Sequence, residues 1–191
     1  EWRLDPPGGD PRWVEVRLEP AIVGGRDRVL AFVRDVTERR ETEADLRERR
    51  ETLRRLHAIT ANPDLAFDDQ VGELLAFGAD RFGMDVAFLS RIDPDAGEFE
   101  VVAAEGDHEL IREGAESALS ETYCRRVLAD DSAGPLAIDD AATEMSEDPA
   151  YEKYGLGCYL GDEIVVDGEV YGTLCFADGD PHRSAFTDEE R

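Results

Sequence analysis

The chain has 191 residues, of which 41% are hydrophobic and 35% carry a charge. That length suffices for one complete domain and part of another, and the apolar fraction suffices for a core, so disorder throughout is excluded. The 46 acidic residues outnumber the 21 basic ones and give a formal net charge of -25. A surface this acidic repels nucleic-acid phosphates and anionic lipids, so we expect neither nucleic acid nor membrane as a partner of this fragment.

The basic residues are almost all arginines, with Lys153 as the one lysine. An acidic, lysine-poor surface resembles that of proteins from salt-loving archaea, where high ionic strength screens the self-repulsion of the chain. An acidic protein from an organism with a GC-rich genome is the alternative source.

The three cysteines, Cys124, Cys158 and Cys175, are an odd number without C-x-x-C spacing. This pattern argues against a zinc site and against the disulfide framework of a secreted domain. No window has the roughly 18 consecutive apolar residues that cross a bilayer. We therefore expect a cytoplasmic protein without a metal. We also expect an excerpt of a longer chain, because Glu1 is not an initiator methionine and the last residues read as the start of a helix.

Residues 1–38 have the pattern of β-strands. Apolar residues between Trp13 and Leu18 alternate with charges, Val23 to Arg26 supplies a glycine turn, and Val29 to Val33 is an apolar run. The segment predicts a β-hairpin, with a third strand at Glu1 to Asp5.

A long exposed helix is predicted to start at Glu38, because Glu and Arg dominate the sequence and Gly and Pro are absent as far as Arg55. The apolar positions with coiled-coil spacing are Leu46, Leu53 and Leu56. Arg49 interrupts this seam and makes it thin. We expect a signalling helix over residues 39–61 that forms a homodimer through the seam.

A second helix and two strands follow. Apolar residues from Phe67 to Phe82 fall on one helical face, and Gly83 is predicted to close the helix. The next two strands are predicted at Val86 to Ile92 and at Phe99 to Ala104.

A short helix and a long acidic segment come next. Ser120 is predicted to cap a helix that turns Tyr123 and Cys124 inward, and Pro135 to Ile138 to form a short strand. The segment Ala141 to Gly157 is predicted to be a lid, because loops of this length are usually functional or mobile.

The clearest local pattern is a hairpin around Asp167-Gly168, since this dipeptide favours a type I′ turn. An uninterrupted ladder across the turn gives the pairs Val165–Val170, Ile164–Tyr171 and Tyr159–Phe176. Both faces of the hairpin are apolar, so we expect a sheet that is covered on each face. Thr187 to Glu190 are predicted to begin a further helix.

The order of these elements and several motifs resemble those of a GAF domain. The motif stretches are Ser120 to Arg125, Gly134 to Ala141, Asp148-Pro149, Tyr159 with Gly161, and Gly172 to Asp178. The resemblance covers about residues 52–191. It implies an α+β fold in which an antiparallel sheet is flanked by helices on both faces, with most of the last helix missing.

Residues 1–38 resemble the last strands of a PAS domain, on the stretches Trp13 to Pro20 and Val29 to Arg39. In that family a D-x-T motif ties the last strand to the outgoing helix. The resemblance assigns this coupling role to Asp35 and Thr37. The ligand-facing front half of a PAS domain is absent, so the sequence leaves any cofactor of that domain undefined.

Taken together, the chain resembles haloarchaeal PAS and GAF proteins, which are sensor histidine kinases or bacterio-opsin-activator-like regulators. The resemblance implies a sensory module that binds a small ligand or a partner. It also implies that helical linkers relay the state of the module to an output domain outside this chain. No enzymatic activity is expected of this fragment.

Seven residues are candidates for lining a ligand pocket, although they would serve equally well as core. They are Phe88, Tyr123, Cys124, Tyr151, Tyr154, Cys158 and Phe176. Bilin-carrying GAF domains usually have His after the anchoring cysteine, whereas Arg125 stands here, so we expect no bilin and leave the ligand undefined. Arg125 and Arg126 are expected to be solvated or paired.

Two further functions remain open at this point. One is a thiol-dependent redox enzyme resembling free methionine sulfoxide reductase, with Cys124 as its nucleophile. It competes with the simpler interpretation of Cys124 as a buried core thiol. The other is a dimerisation scaffold that binds no ligand.

Overall fold

The computed structural model describes residues 1–6, 8–129 and 134–187. The chain divides into two compact units, Glu1–Ala58 and Ile59–Arg191. Within the described residues, no helix combines the length and the apolar character needed to cross a membrane.

The first unit is an antiparallel sheet followed by a long helix. The strands are β1 (Trp2–Leu4), β2 (Arg12–Val23) and β3 (Arg26–Asp35), in the order β1-β2-β3. The predicted hairpin and the third strand are therefore present. Helix α1 (Thr37–Thr60) starts one residue earlier than predicted.

One face of the first sheet exposes apolar side chains. Val16 pairs with Val33 and Leu18 with Ala31, so these residues point to the same side. Leu18 is 63% exposed and Ile22 is 77% exposed. Apolar patches of this kind are usually covered in folded proteins.

The second unit begins with α2 (Phe67–Phe82), which ends at Gly83 in the left-handed conformation, as predicted. Phe67 itself is exposed, contrary to the predicted apolar face. Six antiparallel strands form the sheet in the order β6-β5-β4-β9-β8-β7. Their bounds are β4 (Val86–Asp93), β5 (Glu98–Glu105), β6 (Glu116–Ala118), β7 (Leu136–Ile138), β8 (Cys158–Val166) and β9 (Glu169–Asp178).

Apolar cores cover both faces of this sheet, which confirms the predicted α+β architecture. On one face, Phe88, Ile138 and Tyr159 pack beneath three short helices. These helices are α3 (Cys124–Ala129), α4 (Ala141–Glu144) and α5 (Pro149–Tyr154). On the other face, Leu75 of α2 packs against Phe176.

The β8–β9 hairpin has the predicted turn but a different register. Asp167 and Gly168 have φ values of 53° and 86°, as a type I′ turn requires. Val165 pairs with Val170, but an irregularity after Ile164 leaves Tyr171 as an extra residue in β9. The observed pairs are therefore Ile164–Gly172 and Tyr159–Ala177.

Burial on both faces explains this register. A one-residue slip moves every side chain of a strand to the opposite face. The bulge brings Cys175 and Ala177 to the core that contains Tyr159, and it sends Phe176 to the core beneath α2. With an uninterrupted ladder, Phe176 would lie on the same face as Tyr159 and not beneath α2.

One other local prediction is corrected. Ser120 does not cap a helix, because it lies within a 3₁₀ turn, Leu119–Glu121, and α3 begins only at Cys124. The predicted lid contains the two helices α4 and α5, whose Ala141 and Ala150 are completely buried. The predicted helix start at Thr187 to Glu190 extends outside the described residues.

Candidate functional site

A small cavity lies between the sheet and the helical layer of α3 and α5. Its lining residues are Phe88, Phe99, Ile111, Thr122, Tyr123, Cys124, Tyr154, Leu156 and Tyr159. Its volume is about 10 Å³, which is room for about one water molecule. The site is therefore an aromatic cavity that must open before it can hold anything larger.

The hydroxyl of Tyr123 has no hydrogen-bond partner. Among the described buried side-chain N and O atoms, it is the only one without a hydrogen-bond partner. Tyr123 is only 2% exposed. Burial, followed by the negative charge of Asp148, raises the pKa of the hydroxyl to about 12, so the group stays protonated. An unpaired buried hydroxyl costs about 1–3 kcal/mol. Tyr123, which is one of the lining residues, therefore has a hydrogen bond to offer to a molecule that reaches its hydroxyl.

Two thiols meet beside this cavity. The sulfur atoms of Cys124 and Cys175 are 3.9 Å apart, and the hydroxyl of Tyr159 lies 3.6 Å from the first and 3.0 Å from the second. Thr173 bridges the pair, because its hydroxyl donates to Cys124 at 3.1 Å and accepts from Cys175 at 3.2 Å. Ser90 completes the network at 2.7 Å from the Thr173 hydroxyl.

This network shifts the pKa values of the two thiols in opposite directions. Burial opposes ionisation of Cys124, but hydrogen bonds from the Cys175 thiol and from neighbouring hydroxyls outweigh it and lower the pKa of Cys124 to about 7. Burial, followed by the hydrogen bond with Cys124, raises the pKa of Cys175 well above its usual value. Cys124 is therefore the member of the pair that ionises more readily.

Gly161 makes room for the tyrosine of this network. A Cβ atom at Gly161 would lie 2.4 Å from the hydroxyl oxygen of Tyr159. The two residues are two positions apart on β8, so they share a face. The ring of Tyr159 therefore lies over a position that has no side chain.

A buried ion pair fastens the helices above the cavity. The Asp148 side chain is 1% exposed, and it accepts hydrogen bonds from Arg125 at 2.6 Å and from Arg126 at 2.8 Å. It also accepts from the backbone N–H of Ala150 at the start of α5. The expected pairing of both arginines is thus observed, and it ties α3 to α5.

His108 provides a second attachment. Its Nδ1 accepts from the backbone N–H groups of Leu110 and Ile111, and its Nε2 lies 3.0 Å from the carbonyl oxygen of Tyr154. The tautomer with the proton on Nε2 satisfies all three contacts. His108 therefore holds the end of α5 above the cavity.

The predicted pocket residues separate into two groups. Phe88, Tyr123, Cys124 and Tyr154 line the cavity, and Tyr151 packs against the same core. The remaining two candidates, Cys158 and Phe176, lie on the opposite face of the sheet, next to α2.

The strand alternation explains what sequence reasoning missed. Tyr159 and Cys175 are the immediate neighbours of Cys158 and Phe176, and they are the residues that face the cavity side. Period-two alternation was the available signal, but the bulge at Tyr171 concealed the correct phase in β9. Nothing in the sequence around Thr173 or His108 indicated that these residues belong to this site.

The two residues assigned to signal coupling form a separate cluster in the first unit. The Asp35 carboxylate accepts from both the backbone N–H and the hydroxyl of Thr37, at 3.0 Å and 2.7 Å. The Thr37 hydroxyl in turn accepts from the backbone N–H of Trp13 at 2.9 Å. The guanidinium of Arg40 lies 4.1 Å from the centre of the Trp13 ring. The cluster thus connects β2, β3 and α1.

Metal binding has no support in the described part of the chain. No group of three His, Cys, Asp or Glu residues there is arranged to hold an ion.

Comparisons with known proteins identify the fold of the chain. No protein-family model matches it, and no curated protein matches it. Among solved structures, it is similar to the GAF domain of an Acinetobacter phosphoenolpyruvate-protein phosphotransferase, with a TM-score of 0.54 and 17% identity over 73% of this chain and 83% of that one.

Two further structures show the same similarity. The phycocyanobilin-bound GAF domain of a cyanobacterial phytochrome has a TM-score of 0.57 and 17% identity over 73% of this chain and 85% of that one. A free methionine-R-sulfoxide reductase from Neisseria meningitidis, in complex with its substrate, has a TM-score of 0.55 and 15% identity over 74% and 77% of the two chains. These similarities show a GAF-like fold.

Proposed function

We propose that the second unit is a sensory GAF module that binds a small molecule in the aromatic cavity and relays its state to an output domain outside this chain. The observation that carries the proposal is the unpaired hydroxyl of Tyr123, a residue that lines the cavity. Buried polar groups without partners are rare in folded proteins, and a ligand acceptor would satisfy this one.

The lining indicates the chemistry of the ligand. Aromatic and aliphatic side chains surround the space, so the ligand presents an apolar or flat body to them. Tyr123 stays protonated, so the ligand offers a hydrogen-bond acceptor to it. The predicted ligand is a small, mostly apolar molecule that carries at least one acceptor atom.

Binding requires the helical layer to move, because the cavity holds only about one water molecule. Asp148 and His108 fasten α5 in the closed arrangement. A ligand that binds only the open arrangement shifts the population toward it. The closed and open arrangements are then the two states of the sensor.

The first unit is proposed to be the end of a PAS domain joined to a signalling helix. The exposed apolar face of its sheet and the cluster of Asp35 and Thr37 support this assignment. Leu46 and Leu53 of α1 are exposed, which supports a homodimer through this helix. A histidine kinase or a bacterio-opsin-activator-like regulator is the proposed full-length protein, from a salt-loving archaeon.

A ligand-free scaffold is a second candidate, and the small volume of the cavity favours it. Retention of small molecules separates the two functions. The protein is dialysed against a small-molecule extract of its source cells and then analysed by native mass spectrometry, alongside Tyr123→Phe and the control Tyr151→Phe. Tyr151 does not line the cavity.

A ligand sensor retains about one small molecule per subunit. Tyr123→Phe reduces the affinity by about five- to tenfold, which corresponds to one hydrogen bond of about 1 kcal/mol. Tyr151→Phe behaves like the wild type. Equal retention by Tyr123→Phe, or no retention by any variant, contradicts the sensor and favours the scaffold.

The proposed function requires no catalysis. The neighbouring thiols of Cys124 and Cys175 are the one observation in favour of a thiol-dependent enzyme. Reduction of free methionine sulfoxide by the wild type, lost in Cys124→Ala, would establish that enzyme and overturn the non-enzymatic assignment.

A further inference from the structure

The strongest unexplained feature is the pair of buried thiols. Cys124 lies at the start of α3 and Cys175 lies in β9, yet their sulfur atoms are 3.9 Å apart. Cys124 is 1% exposed and Cys175 is fully buried. Ligand binding as proposed above does not require two thiols to face each other.

The polar groups around the two thiols are placed to stabilise one negative charge on sulfur. Thr173 accepts a hydrogen bond from the Cys175 thiol and donates one to Cys124, so it connects a donor sulfur to an acceptor sulfur. Tyr159 reaches both sulfurs from another side. Such hydrogen bonds stabilise a thiolate, which is the nucleophilic form of cysteine.

Cys124 is the thiol on the side of the cavity. It is one of the lining residues of this space, which has room for about one water molecule. Among the described residues of this lining, Tyr154 is the one that is partly exposed. Hydrogen peroxide has only two heavy atoms, so it needs less opening of this space than larger thiol reagents do.

We propose that Cys124 and Cys175 form an oxidation site at which hydrogen peroxide converts the two thiols into a disulfide. The proposal does not depend on ligand binding by the cavity.

The chemistry proceeds in two balanced steps. The Cys124 thiolate attacks one peroxide oxygen and the O–O bond breaks. The departing hydroxide takes up a proton to leave as water, and Cys124 becomes a sulfenic acid. Cys175 then attacks this sulfur and loses its proton, the S–O bond breaks, and a second water leaves. In total, two thiols are oxidised by two electrons and one peroxide is reduced to two waters.

The bond requires a modest local movement. A disulfide has a sulfur–sulfur distance of about 2.05 Å, so the two atoms must approach from their present 3.9 Å. Tyr159 and Thr173 lose hydrogen bonds to the thiols when this happens. The oxidised form therefore has a rearranged network between α3 and β9.

Cys158 provides an internal control. It is also buried, but it packs on the opposite face of the sheet, and burial raises the pKa of its thiol to about 11. Oxidation through unfolding would expose all three cysteines alike, whereas oxidation in the folded protein selects Cys124 and Cys175.

The test treats the reduced, folded chain with hydrogen peroxide, then denatures it, alkylates the free thiols and maps the peptides by mass spectrometry. We expect one alkylated cysteine, Cys158, and a peptide that joins Cys124 to Cys175. This crosslink forms at least about tenfold faster than any modification of Cys158, because thiolate character sets the rate. Cys158→Ser retains the crosslink, and Cys124→Ser and Cys175→Ser each abolish it.

Three results would overturn the proposal. They are three alkylated cysteines after peroxide treatment, a sulfinic acid on Cys124 without a crosslink, and crosslinks that include Cys158 at a comparable rate. A circular dichroism spectrum of each serine variant shows whether it is folded, and Cys158→Ser tests the crosslink independently of the pair itself.

Discussion

Asp148 shows how a single side chain can hold the helical layer above the cavity. Its carboxylate is almost completely buried and accepts hydrogen bonds from two arginines and one backbone N–H. The arginines remain partly in contact with water, with side-chain exposures of 25% and 44%. The carboxylate is therefore the member of this cluster that depends most on its partners.

Replacing Asp148 by Asn removes the charge and leaves both arginines without their counterion. We expect Asp148→Asn to lower the free energy of unfolding by about 2–3 kcal/mol. Urea denaturation measures this difference. Glu147→Gln, which removes an exposed charge from the preceding residue, should change stability by less than about 0.5 kcal/mol. Equal effects of the two substitutions would contradict the assigned role of Asp148.

The contribution of Asp148 depends on pH in a defined direction. Burial opposes its ionisation, but the hydrogen bond from Arg125 and its other partners outweigh burial and hold the pKa below the ordinary 3.8. A lowered pKa in the folded state gives a contribution that is complete above pH 3.8 and is lost as pH falls through the folded value. The stability difference between wild type and Asp148→Asn should thus be constant from pH 5 to 7 and shrink below about pH 4. A difference that grows on acidification would contradict this assignment.

Sequence reasoning identified four of the nine lining residues of the cavity. The others were missed for a physical reason. Tyr123 and Cys124 lie in a motif with strong local character, so they could be assigned without knowing the fold. Tyr159 and Cys175 depend on which face of a strand points to the cavity. When both faces of a sheet are buried, hydrophobicity does not distinguish them.

At the scale of elements, α2 contains a natural pair of glycines for testing the packing of the second core. A Cβ atom at Gly78 would lie 2.2 Å from the ring of Phe176, whereas one at Gly72 would contact nothing within 4 Å. The Phe176 ring is itself held against Phe82, with 4.9 Å between ring centres. It has little freedom to move away.

We therefore expect opposite effects from the same substitution in one helix. Gly72→Ala should stabilise the protein by about 0.5–1 kcal/mol, because alanine favours the helical conformation. Gly78→Ala should destabilise it by about 1–2 kcal/mol, since the gain in helix propensity is smaller than the cost of overpacking. Thermal and urea unfolding of both variants measure these changes. Stabilisation by Gly78→Ala would show that Phe176 moves freely.

The start of α1 provides a second test at this scale. Thr37→Val removes the hydroxyl that accepts from the Trp13 N–H and donates to Asp35. We expect exchange of the Trp13 amide hydrogen to accelerate by about fivefold, as for the loss of one hydrogen bond. Thr42→Val removes a hydroxyl that bonds only to the helix backbone at Glu38 and should leave the Trp13 amide unchanged. If the Trp13 amide exchanges at the same rate in Thr37→Val as in the wild type, the proposed coupling of β2 to α1 through Thr37 is contradicted.

The sequence predicted most elements of the second unit, and the failures have a common cause. Gly83 marked the end of α2, and Asp167-Gly168 marked the turn of the β8–β9 hairpin. The bulge at Tyr171 was not predicted, because it depends on contacts that the local sequence does not show. Both faces of β9 are buried, and β9 pairs with β4 as well as with β8. The helices α4 and α5 were missed because each is too short to show helical periodicity.

At the scale of the whole molecule, the formal charge of -25 dominates. Charge repulsion destabilises a compact acidic chain, and salt screens it. The screening length falls from about 10 Å at 0.1 M salt to about 3 Å at 1 M. Stability should therefore increase with the concentration of a simple salt.

We expect the midpoint of thermal unfolding to rise by about 5 °C between 0.1 M and 2 M potassium chloride, equivalent to about 1–2 kcal/mol. Circular dichroism at several salt concentrations measures it. Sucrose at matched osmolality is the control, because it does not screen charge. A flat or falling midpoint in potassium chloride would argue against adaptation to high salt.

The alternation of side chains in β9 has a mechanical consequence. Cys175 points into the thiol network on one face of the sheet, and the next residue, Phe176, points to the other face and lies over Gly78 of α2. A single peptide unit therefore separates the chemistry of one core from the packing of the other. A rotation of the backbone at Cys175 would therefore also shift the ring of Phe176 next to α2. A structural change at the thiol pair could therefore reach α2 on the other face of the sheet through two adjacent residues.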